Sequence, residues 1–210
     1  MLFFFFVKEL MHNNPAIGIL GAGAWGTTIA KLLSDKNSDV LLWAKEPQVK
    51  KGVEKTRINE IYLDKIKLNK SLKITNHLED LSELDILFIV VPTQYIQSTL
   101  RPLKKIIKKN CILVNCAKGI DIKSTSLISE VINKILPGNK LAIMSGPNFA
   151  LEIALGKPTA SLIAAQKISD AKFIANLISS KTFRPYLSND IIGAQICGAM
   201  KNIYAIGCGI

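Results

Sequence analysis

An α/β fold is what this 210-residue sequence predicts: a doubly wound, mostly parallel sheet that runs into the first helix of an all-α domain. Three features predict it. Apolar strand runs and helical patterns take turns from Ala16 onward, the mark of βαβ units with both sheet faces covered. The strand runs are almost continuously apolar, as strands buried on both sides are. From Asp190 the alternation gives way to one long apolar helix containing several Gly residues. The chain is thus expected to divide into a disordered leader over 1–15, a sheet domain over 16–189 and the opening of a helical domain over 190–210.

The elements follow in order. Ala16-Ile-Gly-Ile-Leu20 is a short strand leading into Gly21, and Ala24 to Leu33 reads as a helix with Ala, Ile and Leu at helical spacing. Asp39 to Ala44 is a second strand, closed by Pro47. The Lys-rich stretch from about Lys50 to Leu84 gives only weak helical and strand signals. Asp85-Ile-Leu-Phe-Ile-Val-Val91 is the clearest buried strand, stopped by Pro92 and followed by a helix from about Gln94 to Lys108. Then come a strand over Cys111–Cys116, a helix over Ser124–Leu136 ended by Pro137-Gly138, and a strand over Leu141–Met144. A short helix over Phe149–Leu155 precedes strands at Thr159–Ala164 and Phe183–Leu187, which flank a helix at about Ser169–Ile178.

Composition narrows the function classes. The apolar share is 49% and mean hydropathy +0.27, yet no run reaches the roughly 18 residues a membrane span needs. The opening Met1-Leu-Phe-Phe-Phe-Phe-Val7 lacks a basic region ahead of it and is about half a signal-peptide core. It reads as a leader, with Met11 the alternative start. Net charge is +11, but the Lys pairs are scattered and no basic stretch is interleaved with aromatics, so a solvated surface is expected and not a nucleic-acid site. Four Cys residues form no C-x-x-C pair, and with two His residues a metal site is not expected. Cys111 and Cys116, five apart on one strand, should face opposite sides. The apolar neighbours of the four cysteines suggest buried, reduced thiols and a cytoplasmic protein.

Gly21-Ala-Gly23-Ala-Trp25-Gly26 fits G-x-G-x-x-G, between a strand and a helix, the context in which the string means dinucleotide binding on a Rossmann-type sheet. Gly21 would make the tight turn, Gly23 would admit the pyrophosphate, and Gly26 would let helix and strand pack closely. The amides at the helix start, Ala24 included, would face the phosphates. The second strand ends Leu42-Trp43-Ala44-Lys45, without the acid that an NAD-selective site usually carries. Lys45 could meet a 2′-phosphate instead, or simply be solvated, so the cofactor is read as NAD(P).

Further segments carry a family resemblance: Cys116-Ala-Lys118-Gly119-Ile120, Ser145-Gly-Pro-Asn-Phe-Ala150, Gly156-Lys-Pro-Thr159 and Gly198-Ala-Met-Lys201-Asn202-Ile-Tyr-Ala-Ile-Gly207. With the glycine loop and Leu42-Trp43, they resemble the soluble NAD(P)-dependent glycerol-3-phosphate dehydrogenases from about Ala16 to the last residue. The resemblance implies interconversion of dihydroxyacetone phosphate and sn-glycerol 3-phosphate, feeding glycerophospholipid synthesis. By matching position, Trp25, Lys45 and Ala150 would contact the cofactor and Lys118 both cofactor and substrate. Gly146, Asn148 and Asn202 would line the substrate site, and Lys201 would be the catalytic acid or base. Asn148 departs from the Ser or Thr many members carry there. Members also continue on the order of a hundred residues further, into a helical domain of typical size, whose Asp and Ser/Thr-Arg-Asn cluster grip the substrate. The chain is therefore expected to be truncated. Two other readings stay open, a non-catalytic dinucleotide-binding fragment and a related hydroxy-acid or sugar dehydrogenase; a homodimer at full length is left open too.

Overall fold

The computed structural model describes residues 14–36 and 39–210; the leader Met1–Val7, with Met11, lies outside the described residues. The chain alternates as expected at its start. Strand β1 (Ile17–Leu20) leads to helix α1 (Ala24–Ser34), then β2 (Val40–Trp43) and α2 (Pro47–Thr56). A hairpin of β3 (Ile58–Asn59) and β4 (Leu63–Lys67) follows, then β5 (Lys73–Thr75) and β6 (Ile86–Ile89). Next come α3 (Ile96–Leu103), β7 (Ile112–Asn115), a small hairpin of β8 (Ile120–Asp121) and β9 (Ser126–Leu127), and α4 (Ile128–Ile135). The chain continues through β10 (Leu141–Ser145), α5 (Ala150–Ala154), β11 (Thr159–Ala165), α6 (Ile168–Ile178), β12 (Phe183–Ser188) and α7 (Ile191–Gly209).

Eight strands form one sheet in the order β12-β11-β10-β7-β6-β1-β2-β5. Every pairing is parallel except that between β10 and β11, so the last two strands run against the other six. Those six, numbered among themselves, stand in the order 3-2-1-4-5-6 of dinucleotide-binding sheets. Each central strand feeds two cores at once. Ile86 and Phe88 of β6 join the cluster beneath α1 and α6, while Leu87 and Ile89 join the one beneath α3 and α4. Cys116 falls in the first cluster and Cys111 in the second, on opposite faces as the odd spacing requires.

Three expectations need correction. Residues 124–127 are not helical. Asp121 accepts hydrogen bonds from the Ser124 amide (2.9 Å) and hydroxyl (2.7 Å), a side-chain turn that outcompetes the helix. The helix starts only at Ile128, where the Glu130 carboxylate accepts from the Leu127 amide (3.1 Å). The helix expected from Gln94 to Lys108 is shorter: a 3₁₀ turn over Thr93–Tyr95 precedes it, and Pro102 sits in its last turn. Two of the four thiols are also not buried, since Cys197 and Cys208 on α7 are exposed. Just ahead of the stretch from Lys50 to Leu84, Pro47 proves to start a helix, Pro47–Thr56, at the position that favours Pro. Among the described residues no helix is long and apolar enough to cross a membrane.

Candidate active site

Ligands of such sheets bind beyond the carboxyl ends of the strands, where strand order reverses. Here the reversal lies between β1 and β6, and the residues that follow each strand converge there. A cleft of about 770 Å³ is lined by Gly21–Gly26 after β1, Trp43 at the end of β2 and Lys45 just past it, Val90–Pro92 after β6, and Tyr62 and Tyr95. The glycine loop has the geometry its sequence implied. Gly21 holds φ +117°, a region hostile to side chains. A Cβ on Gly26 would stand 1.8 Å from the Gly21 carbonyl oxygen, so only Gly lets α1 approach β1 so closely. A Cβ on Gly23 would meet no protein atom within 4 Å, so the space before it is open.

Around this loop the predicted residues are distributed unevenly. Ala24, Trp25 and Lys45 line the cleft. Trp25 packs partly against the core, its indole N–H buried without a hydrogen-bond partner. Lys45 is exposed, with its ammonium 5.9 Å from the centre of the Tyr95 ring. Ala150 opens α5 and its carbonyl accepts from the Thr28 hydroxyl (3.0 Å), joining that helix to α1.

A second groove, about 440 Å³, runs between α7 and the sheet; Ser145, Gly146, Pro147, Gly198 and Lys201 are among its walls. Lys118 follows β7 in the same region. Its carbonyl accepts from the Thr93 hydroxyl (2.6 Å), and its Cγ lies 3.6 Å from where a Cβ on Gly198 would be. Burial holds the Lys118 ammonium below the usual lysine range; the nearby Cys116 thiol opposes that shift, and the Lys201 charge adds to it. The Lys201 ammonium sits 5.0 Å from the Phe149 ring centre, a cation–π contact. Thus the fold brings together Lys118, Gly146 and Lys201, which the sequence separates by up to 83 positions.

Two predicted residues are placed differently. Asn148 turns its amide toward the Ser161 hydroxyl (3.2 Å), which donates to the Ser145 carbonyl (3.1 Å), and its Oδ1 is buried without a partner. Asn202 is exposed on α7 and does not line the groove. Sequence reasoning did not find Tyr62 or Tyr95, which wall the cleft, because they lie on segments without clear periodicity.

The family described as the N-terminus of NAD-dependent glycerol-3-phosphate dehydrogenase matches residues 16–171. A glycerol-3-phosphate dehydrogenase [NAD(P)+] of Hyphomonas neptunium is 40% identical over 201 residues, which are 96% of this chain and 60% of that protein. The crystal structure of glycerol-3-phosphate dehydrogenase from Coxiella burnetii superposes with a TM-score of 0.87 at 31% identity, covering 93% of this chain and 60% of that one. The Plasmodium falciparum glycerol-3-phosphate dehydrogenase gives 0.89 at 25% identity, covering 96% and 60%. The chain therefore spans about 60% of the length of such relatives. With the six-strand parallel order and the glycine loop both lying inside that match, the chain belongs to the NAD-dependent glycerol-3-phosphate dehydrogenase family.

Proposed function

We propose that this chain binds NAD(P) in the cleft between β1 and β6 and forms the cofactor half of a dihydroxyacetone-phosphate reductase. One observation carries the reading: an open glycine cradle at the switch point stands in the same sheet as a groove lined by Gly198 and Lys201, with the Lys118 side chain beside Gly198. The residues present fit a dinucleotide. Gly23 leaves room for a pyrophosphate, the α1 amides begin beside it, and the aromatic and aliphatic walls suit rings. Lys45 would meet a 2′-phosphate, Trp25 and Ala150 would flank the cofactor, and Gly21, Gly23, Ala24 and Gly26 would form the backbone cradle.

When bound, the reduced nicotinamide supplies a hydride to the substrate's ketone carbon. The chain's own task is the oxygen. Lys201 would donate a hydrogen bond from its ammonium to the ketone oxygen, then transfer that proton as negative charge develops. In the reverse direction the same nitrogen, now neutral, would take the hydroxyl proton. Lys118, whose charged form burial disfavours, would contact both substrate and cofactor. Gly146 and Asn148 would border the substrate, and Asn202 would take its place there only if α7 turned. The four unpaired thiols support a cytoplasmic location.

The test begins with binding. Trp25 and Trp43, the only two Trp residues, both line the cleft, so NADH should quench intrinsic fluorescence. Oxidation of NADH with dihydroxyacetone phosphate tests the second half. We expect binding weaker than that of a full-length relative and little turnover by the 210-residue chain. Failure of NADH to quench at millimolar concentration would refute the cofactor assignment.

A further inference from the structure

We propose that Asn59, outside the large sheet, is a positioning residue for the cofactor's pyrophosphate. It acts by fixing which way one peptide of the glycine loop points. The inference rests on the dinucleotide reading of the cleft.

Asn59 belongs to the two-stranded β3–β4 hairpin, which does not pair with the main sheet. Its side chain is nonetheless buried, at 1% exposure, against the glycine loop. The amide nitrogen donates to the Ala22 carbonyl and to the Thr27 hydroxyl oxygen, both at 2.8 Å. The Thr27 hydroxyl in turn donates to the same Ala22 carbonyl at 3.2 Å. The Asn59 carbonyl oxygen accepts from the Tyr62 amide at 3.3 Å. Every polar group of the carboxamide thus has a partner, and two separate donors converge on one oxygen.

That oxygen matters because of the peptide to which it belongs. In a planar trans peptide the C=O and the following N–H point in opposite directions. Drawing the Ala22 oxygen inward, toward Asn59 and Thr27, therefore turns the Gly23 N–H outward. Gly23 lines the open cleft, where a phosphate would approach. A loop free to flip that peptide would present a carbonyl oxygen to an anion instead of an N–H. Asn59 and Thr27 oppose the flip, since it would leave two buried donors without acceptors.

The hairpin is itself a cleft wall. Leu63 and Ile66 pack with Ala154 of α5, and Tyr62 lines the cleft with its hydroxyl 3.5 Å from the Glu46 carboxylate. Asn59 thereby ties this wall to the loop it faces, so wall and cradle hold one register.

The experiment compares ligands with and without phosphates on the intact 210-residue chain. Dissociation constants for NADH, ADP and adenosine are measured by fluorescence quenching and NMR titration, with stability measured alongside. Asn59→Asp keeps the shape, removes the donor and sets a carboxylate against the Ala22 oxygen. NADH and ADP are expected to bind at least about tenfold more weakly, the scale of one lost buried hydrogen bond, with adenosine changed less than about twofold. Equal weakening for adenosine and ADP, or none for either, would overturn the assignment. If Asn59→Asp does not fold, Thr27→Val decides by the same ratios, and Thr27→Ser should restore wild-type binding because it keeps the hydroxyl. Wild-type protein that ignores NADH would instead count against the dinucleotide reading, which keeps the two failures apart.

Discussion

Two glycines of one motif should fail in opposite ways when given a methyl group. In Gly26→Ala the new Cβ would stand 1.8 Å from the Gly21 carbonyl oxygen and 3.0 Å from its carbon. An ordinary contact begins near 3.4 Å, so α1 would have to move off the loop by about 1.6 Å. Gly26 is buried on α1, whose neighbours Ile29, Ala30 and Leu33 are wholly buried, so such a shift disturbs a packed face. Overpacking of this kind costs about 1–3 kcal/mol and more against backbone, while Ala in place of Gly within a helix returns about 1 kcal/mol. A net loss of about 2 kcal/mol is expected, which at a urea slope of ~2 kcal/mol/M moves the unfolding midpoint by roughly 1 M. Gly23→Ala meets no protein atom within 4 Å, and its φ of −65° suits any residue. Its stability should stay level or rise by up to about 1 kcal/mol, because the unfolded chain loses freedom. Its NADH affinity should collapse, since the methyl group fills the space kept for phosphate. Urea unfolding followed by circular dichroism, with NADH titration of each variant, reads both quantities. A Gly23→Ala protein that binds NADH normally, or is destabilised as much as Gly26→Ala, would refute this division of labour.

Other expectations follow from the same geometry. Lys45→Asp should shift preference away from NADPH by roughly 1–3 kcal/mol, the worth of one charge-assisted contact, checked as the ratio of the two cofactors' dissociation constants. Lys118 titrates below its unfolded value of 10.5, so between those two points the unfolded chain binds the extra proton and stability rises with pH. Lys118→Met should remove that rise and stabilise the protein near neutral pH, as denaturant titrations across pH will show. In a chain that turns over dihydroxyacetone phosphate, Lys201→Met should lower kcat at least about a hundredfold, the scale of general acid catalysis, with NADH binding little altered. A normal kcat with a raised KM would make Lys201 an anchor and move Lys118 to the acid's place.

Legibility in the sequence followed burial. Strand β6 was plain because all four of its residues are buried, two toward each core, so nothing interrupts the apolar run. The glycine loop was plain because its constraints are local: a tight turn, a close approach and an open face, each at a fixed offset. The stretch after Lys50 was obscure for the converse reason. Helix α2 buries only Val49 and Val53, and β4 only Leu63 and Ile66, so two anchors must outweigh many lysines in the pattern. Strand β5 is a three-residue edge strand, with one neighbour and little to repeat. The Ser124–Ser126 segment misled because Ser and Thr near an Asp bond its side chain before they bond a helix. No periodicity announces Asn59 or Tyr95, whose partners lie far along the chain. For Lys118 and Lys201, motif and spacing marked each one, and their meeting was expected only from the resemblance.

That meeting depends on α7, and on where along it the contacts fall. Of its nineteen residues only Ala194 and Gln195 are buried. Ala194 packs with Ile143 and Ala164, Gln195 exchanges hydrogen bonds with the Ser129 amide (2.9 Å) and hydroxyl (3.0 Å), and Asp190 caps the Gly193 amide (2.7 Å). All three anchors lie in the first turns. Lys201 comes six residues after Gln195, about 9 Å along the axis, so a small tilt at the anchored end is amplified where the chemistry is expected. Between them stands Gly198, where a Cβ would come within 2.7 Å of the Ser145 hydroxyl and 3.6 Å of Lys118. The missing side chain is thus what lets the helix settle against β10 and bring its lysine beside the other. Phe149 then fixes the ammonium from outside. Position at this site is set by the sheet through a glycine, and charge by the two lysines it allows to approach, so the groove's geometry and its electrostatics share one cause.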